Sequence, residues 1–126
     1  MEQFKSATTE DNKNSYVVQK DGKTAGIIKI AEPVDDDLDD TYYEIHYIYL
    51  HPDCFRQGIG TLAVEFAFDK ALELGKKFVS LWVLTENEGS IKFYEKCGFR
   101  ADSETKIQKR GREVEIIRMV KDLRIS

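Results

Sequence analysis

Apolar and polar positions change period several times along the chain, and each change marks an element. Tyr16-Val17-Val18-Gln19 and Ala25-Gly26-Ile27-Ile28-Lys29-Ile30 are β-rich runs on either side of Lys20-Asp21-Gly22-Lys23. Asp-Gly between such runs signals a hairpin, because a tight turn needs positive φ and glycine supplies it without a steric cost. A third strand is read over Tyr42-Tyr43-Glu44-Ile45-His46-Tyr47-Ile48-Tyr49-Leu50. Strict alternation puts Glu44, His46, Ile48 and Leu50 on one face and Tyr43, Ile45, Tyr47 and Tyr49 on the other. His51-Pro52 ends the strand, since proline cannot donate to a ladder.

The period then lengthens. Gly58 to about Leu74 reads as a helix closed by Gly75. Glu65, Asp69 and Glu73 recur every four residues as a solvated stripe. Ile59, Ala63, Val64, Ala67, Phe68, Ala71 and Leu72 fill the rest of the circumference, so the helix is expected to be largely buried. Phe78-Val79-Ser80-Leu81-Trp82-Val83-Leu84 is nearly continuous in apolar character, which suits a central strand covered on both faces. A short helix follows from roughly Ser90 to Lys96 and stops at Gly98. Strands near Ser103–Lys109 and Glu113–Val120 flank Arg110-Gly111-Arg112 as a last hairpin. Positions 1–14 are polar without periodicity and read as a loose leader to one domain over 15–126. The acidic run Glu32-Pro33-Val34-Asp35-Asp36-Asp37-Leu38-Asp39-Asp40 reads as a solvated loop, with a cation or polyamine site as the sharper alternative. The order predicts an α/β (α+β) fold, a mixed and mostly antiparallel sheet with a βαβ unit at its centre.

Composition narrows the function classes. At 126 residues and 14.6 kDa the chain is one domain with room for one core. Its 41% hydrophobic and 33% charged residues exclude a disordered or fibrous protein. Nineteen Lys plus Arg against 23 Asp plus Glu give a net charge of −4, which disfavours nucleic acid as a partner. No apolar run is long enough for a bilayer, so no membrane partner is expected. Met1-Glu2-Gln3-Phe4-Lys5 lacks the pattern of a secretion signal. Cys54 and Cys97 are therefore expected to stay reduced, in a cytoplasmic protein. With no CxxC spacing and only His46 and His51, no metal site is expected.

The candidate chemistry lies where the third strand gives way to the first helix, at Arg56-Gln57-Gly58-Ile59-Gly60-Thr61. Free N–H groups and the positive end of the macrodipole make a helix start an anion cradle. The glycines equally suit a tight strand-to-helix turn, and the local sequence leaves both readings open. A Walker loop is excluded because no Gly-Lys-Ser/Thr follows. Gly58-x-Gly60-x-x-Ala63, with Glu86 as a ribose-binding acid, fits a dinucleotide fingerprint. Against that, His51 to Gln57 separates the strand from the first glycine, and the chain ends in a hairpin instead of further βαβ units.

Leu50-His51-Pro52-Asp53-Cys54-Phe55-Arg56-Gln57-Gly58-Ile59-Gly60 resembles the signature of the GCN5-related N-acetyltransferases. Asn87-Glu88-Gly89-Ser90-Ile91-Lys92-Phe93-Tyr94-Glu95-Lys96-Cys97-Gly98-Phe99 is similar to that family's second motif, in the right order downstream. The resemblance implies an acyl-CoA N-acyltransferase fold from about Tyr16 onward, with acetyl-CoA as cosubstrate. It implies that Phe55, Arg56, Gln57, Gly58, Ile59, Gly60 and Thr61 cradle the pyrophosphate, while the strands at Tyr47–Leu50 and Trp82–Leu84 splay around the pantetheine arm. It also implies a thioester carbonyl polarised by a main-chain N–H near Ile48, Tyr49 and Leu50, and Asn87 against the pantetheine. Tyr94 becomes the general acid for the departing thiolate. Glu44 becomes the general base, acting through a water, with His46 in reserve. The residues by themselves leave Tyr94 as a packing tyrosine, Asn87 as a helix N-cap and Glu44 as an edge carboxylate.

Two departures from the family pattern stand out. Phe55 occupies the head of the cradle, where the family has Arg or Gln. The strand and two helices that precede the hairpin in the family, and wall its acceptor site, have no counterpart in the polar leader. The acceptor, a small-molecule or peptide amine, then enters an open pocket or one completed by a partner such as a second copy in a homodimer. A non-catalytic CoA-binding or interaction module is the other reading.

Overall fold

The computed structural model describes residues 2–6, 15–20, 22–52, 58–109 and 111–124. The elements in chain order are β1 (Glu2–Ser6), β2 (Ser15–Lys20), β3 (Lys23–Ala31), β4 (Tyr42–Leu50), α1 (Ile59–Glu73), β5 (Phe78–Leu84), α2 (Glu88–Lys96), β6 (Arg100–Lys109) and β7 (Glu113–Asp122). They build a seven-stranded sheet in the order β1-β2-β3-β4-β5-β7-β6. Neighbours are antiparallel except β4 and β5, which run parallel because α1 carries the chain back between them.

The β2–β3 hairpin, β4, α1, β5 and the closing hairpin fall where the periodicity predicts them. The leader is corrected at Glu2–Ser6, which pairs along the whole of β1 with β2, from Glu2↔Lys20 to Ser6↔Tyr16. Five residues without an apolar period gave no local signal. Strand pairing with the neighbouring hairpin decides them instead.

The core lies between one face of the sheet and the helices. Ile28 and Ile30 of β3, Ile45 of β4, Val79 and Leu81 of β5 and Met119 of β7 meet Ala63, Val64, Ala67 and Ala71 of α1. Those alanines are 0–1% exposed and four residues apart, so the face that meets the sheet carries small side chains and the helix can pack closely against it. Glu65, Asp69 and Glu73 form the expected solvated stripe. Leu72 is 54% exposed and lies outside the buried face predicted for it.

Two irregularities shape the centre of the sheet. The β3–β4 register passes from Lys29↔Tyr47 directly to Ile30↔Ile45, which leaves His46 as an extra residue, a β-bulge. The bulge breaks the alternation read from sequence. Ile45 and Ile48, three apart, both pack on the helix-side core, so Ile48 and Leu50 do not share a face with Glu44 and His46. Second, β4 pairs with β5 only at Tyr42↔Phe78, Tyr43↔Val79 and Glu44↔Ser80, although both strands continue. Beyond that point each keeps to its outer partner. β5 is registered with β7 along its whole length and β4 with β3 out to Leu50, so a wedge opens between them.

The acidic loop between β3 and β4 is solvated as expected, except at Asp35. Asp35 is 7% exposed and takes hydrogen bonds from Trp82 Nε1 (3.0 Å to Oδ2) and Lys106 Nζ (2.8 Å). Arg118 reaches Asp35 at 3.4 Å and Asp37 at 2.8 and 2.7 Å. Burial raises the Asp35 carboxyl, and the bonds from Lys106 and Trp82 with the charges of Lys106 and Arg118 outweigh it, leaving the group below its ordinary range. Asp36 and Asp40 remain exposed. Among the described residues no helix is long and apolar enough to cross a membrane, and no group of three or more His, Cys, Asp or Glu is placed to hold a metal ion.

Candidate active site

Gly58 is the N-cap of α1 at φ 77°, the left-handed region that glycine enters freely. Among the described residues a Cβ there would meet nothing within 4 Å. Gly60, two residues further on, serves packing. A Cβ on it would lie 3.2 Å from Phe93 Cζ and 3.5 Å from Leu50 Cδ1. The first intrahelical bond runs from the Leu62 amide to the Gly58 carbonyl at 3.1 Å. Helix geometry therefore leaves the amides of Ile59, Gly60 and Thr61 without an i−4 carbonyl. Among the described residues no side chain caps this end and no acidic residue stands in the first turn, so its positive pole faces the groove.

These amides open on a groove of about 710 Å³ lined by Ile48, Tyr49 and Leu50 of β4, Gly58, Gly60 and Thr61 of α1, and Ser90, Phe93, Tyr94 and Lys96 of α2. The sequence-predicted Ile48, Tyr49, Leu50, Gly58, Gly60, Thr61 and Tyr94 are thus brought together. Ile59 is the N-terminal residue of α1, but its side chain is fully buried beneath Leu50 with Val18 and Ala25, so only its main chain can serve. Asn87 lies outside the groove lining. It caps α2 by accepting the Ser90 amide at 3.1 Å, the local role its residue type suggests. Phe55, Arg56 and Gln57 fall outside the described residues. Sequence reading missed Ser90, Phe93 and Lys96 as groove residues. Their spacing of three and four from Tyr94 or its neighbours along α2 is the signal that was available.

Tyr94 is half-buried. Its ring packs edge-on to Phe93 (5.2 Å between centroids) and Phe99 (5.6 Å). Burial, with a smaller contribution from Cys97, pushes its phenol above the ordinary value, so it stays protonated and able to donate.

Glu44 stands where β4 and β5 part. It is 5% exposed, accepts the Val34 amide on Oε1 at 3.3 Å, and has Oε2 3.8 Å from His46 Nδ1. Burial raises its carboxyl, with His46 and the Val34 bond opposing in part. An edge carboxylate in water is thereby excluded. His46 Nε2 lies 3.0 Å from the Glu32 carbonyl, which can only accept. In the neutral ring that contact puts the proton on Nε2; in the protonated ring both nitrogens carry a proton and Nδ1–H faces the Glu44 carboxylate. The pair lines a second cavity of about 220 Å³ with Val34, Trp82, Lys106 and Gln108 among its other walls. Glu44 and Tyr94 therefore do not share one cavity. β4 contributes to both, through Ile48–Leu50 on one side of the sheet and through Glu44 and His46 on the other.

A mixed sheet whose one parallel pair parts beside a glycine-led helix start defines a class of protein with room for a ligand between two strands. The comparisons specify the class. The chain matches the Acetyltransferase (GNAT) family model over residues 1–99 and belongs to that family. It is 33% identical over 97 residues to a protein of Methanocaldococcus jannaschii described as an uncharacterized N-acetyltransferase, covering 76% of this chain and 43% of that one. It is 32% identical over 91 residues to a similarly described N-acetyltransferase of Lactobacillus delbrueckii, covering 71% and 53%. The chain thus spans about half the length of these curated relatives. Among solved structures it resembles the Thermoplasma volcanium Ard1 (TM-score 0.74, 20% identity, 87% of this chain and 70% of that). It also resembles a Bacillus subtilis acetyltransferase in complex with CoA (TM-score 0.70, 21%, 86% and 76%). At those identities the likeness establishes the fold.

Proposed function

We propose that this chain transfers an acetyl group from acetyl-CoA to a primary amine within a ternary complex. The observation that carries the reading is the parting of β4 and β5 at Glu44/Ser80, which sets an amide-lined groove on one side and the Glu44–His46 pair on the other. The fit to the cosubstrate rests on the open turn at Gly58, the uncapped amides of Ile59 to Thr61 and the exposed Lys96, which together suit a pyrophosphate. On the wedge side, β4 beyond Glu44 has no strand partner, so alternate N–H groups of Tyr47 to Leu50 are free to polarise a carbonyl.

Acetyl-CoA, when bound, supplies the thioester. Glu44, directly or through one water, takes the proton from the incoming ammonium so that a neutral amine attacks. His46, hydrogen-bonded to the Glu32 carbonyl, holds a second acceptor site beside it. The new C–N bond forms as the C–S bond breaks; the Tyr94 hydroxyl gives the departing sulfur its proton, and the proton shed by the acetylated nitrogen returns through water to restore the Tyr94 phenol. The parity of the β4 bulge makes this division possible, because it turns Glu44 away from the core that Ile45 and Ile48 fill.

Calorimetric titration with acetyl-CoA tests the cofactor, and thiol release across an amine panel tests the chemistry. Micromolar binding with amine-dependent thiol release is the expected result. Binding without release from any amine would establish the second reading, a CoA-binding module. That reading is favoured by the placement of Glu44 and Tyr94 in separate cavities.

A further inference from the structure

Val34 of the β3–β4 loop forms part of the wall of the Glu44 cavity. We propose that Arg118 is a positioning residue for Glu44, acting by clamping the β3–β4 loop, 32–41, over the cavity as its wall. The inference rests on Glu44 being the base.

The chain of contacts is continuous. Arg118 is 4% exposed on β7 and holds three carboxylates. Asp37 is gripped by both terminal nitrogens (2.8 and 2.7 Å), Asp35 at 3.4 Å, and Asp102 of β6 by Nε at 2.6 Å. Arg118 is opposite Trp82 in the β5–β7 register, and Trp82 donates to the same Asp35. Asp35 is adjacent in sequence to Val34, whose amide is the one on Glu44 Oε1 and whose side chain lines the cavity. A fork with fixed donors fits this task, since a lysine in its place would hold one carboxylate as a point charge without registering the other two. The loop thus supplies a wall at the acceptor side from within the chain, and its acidic residues 35 and 37 are committed to Arg118 and not to a cationic ligand.

Charged and titratable groups that face Glu44 are His46 from its own strand, Asp35 from the loop and Lys106 from β6; Ser80 adjoins it on β5. Removing the loop exposes Glu44 to water, and burial is the largest influence on its carboxyl, so loop release moves its titration down toward the ordinary carboxylate range.

The test uses the full chain and no acceptor. Trp82 is the sequence's single tryptophan, so its emission and its indole N–H resonance report the Asp35 contact directly. Arg118→Lys and the milder Asp37→Asn, at a half-exposed carboxylate, are each compared with the parent. Glu44 is followed by carbon-detected titration of labelled glutamate carboxyls, assigned with Glu44→Gln. The expected result is a red-shifted Trp82 emission together with a lower Glu44 midpoint, larger for Arg118→Lys than for Asp37→Asn, with calorimetric acetyl-CoA affinity changed less than about twofold. A Trp82 shift with an unmoved Glu44 midpoint would overturn the proposal, as would no change in either. A chain that binds acetyl-CoA but acetylates nothing would instead defeat the catalytic reading and leave the clamp intact.

Discussion

At the residue scale, the proposed chemistry is tested at two side chains and the groove's geometry at two glycines. Tyr94→Phe removes only the hydroxyl, leaving the ring contacts with Phe93 and Phe99. Turnover should fall by about tenfold or more, a typical general-acid effect, while acetyl-CoA affinity changes less than about twofold. Steady-state rates beside calorimetry check it, and an unchanged rate would return Tyr94 to packing. Glu44 has its carboxyl raised by burial, so its active, ionised form should accumulate above the ordinary carboxylate range. The acid limb of the pH–rate profile is expected to rise through that elevated value, and Glu44→Gln should flatten it. A limb that persists would transfer the role to His46. Gly60→Ala places a Cβ 3.2 Å from Phe93 Cζ, so that ring must shift by a few tenths of an ångström in the groove wall, and cofactor binding is expected to weaken severalfold. Gly58→Ala meets no atom but keeps a left-handed φ, at a cost of about 1–2 kcal/mol.

At the element scale, the wedge between β4 and β5 exists because each strand is fully engaged elsewhere. The same economy makes the close contact of β3 with β4 critical. A Cβ on Gly26 would lie 2.4 Å from the Tyr49 carbonyl oxygen, a main-chain atom that cannot move aside. Gly26→Ala should therefore disturb β4 at Tyr49–Leu50, lowering Tm and weakening acetyl-CoA binding together. Loss of stability with intact binding would show that the end of β4 does not shape the groove. Helix α1 behaves differently. Its buried alanines leave no spare volume, so Ala67→Leu overpacks at a cost of about 1–3 kcal/mol, readable by denaturant titration.

At the scale of the whole molecule, the stability of the fold follows two opposed groups of carboxylates. Asp35 has a lowered folded pKa, so its contribution is present above the unfolded carboxylate value and is lost as pH falls through the folded one. Glu44 has a raised folded pKa, so the folded state binds its proton more tightly and loses relative stability as pH climbs from the unfolded value through the folded one. Glu44→Gln should thus stabilise the protein at neutral pH relative to the parent, with the gain vanishing in mild acid. Thermal melts across that range decide it. Arg118→Ala should be costly, about 3–5 kcal/mol, because it leaves the buried Asp35 short of a partner.

Sequence alone determined the elements with a strong local period. β4 and β5 are legible to the residue, since nine and seven consecutive positions of β-forming side chains need no tertiary help. α1 is legible from its acidic stripe and Gly75, and its start from the glycine at position 58. Tertiary structure decided the rest. β1 forms because an unpaired neighbour lies beside it, not because Glu2–Ser6 has a pattern. The bulge at His46 is a mismatch between two strands and is absent from either alone, yet it assigns Glu44 and Ile48 to opposite faces. The acidic loop reads as solvated until Arg118, more than seventy residues away, supplies the counter-charge that buries Asp35. Periodicity records what a residue does with its own segment; pairing, parity and charge balance belong to segments that meet only in the fold.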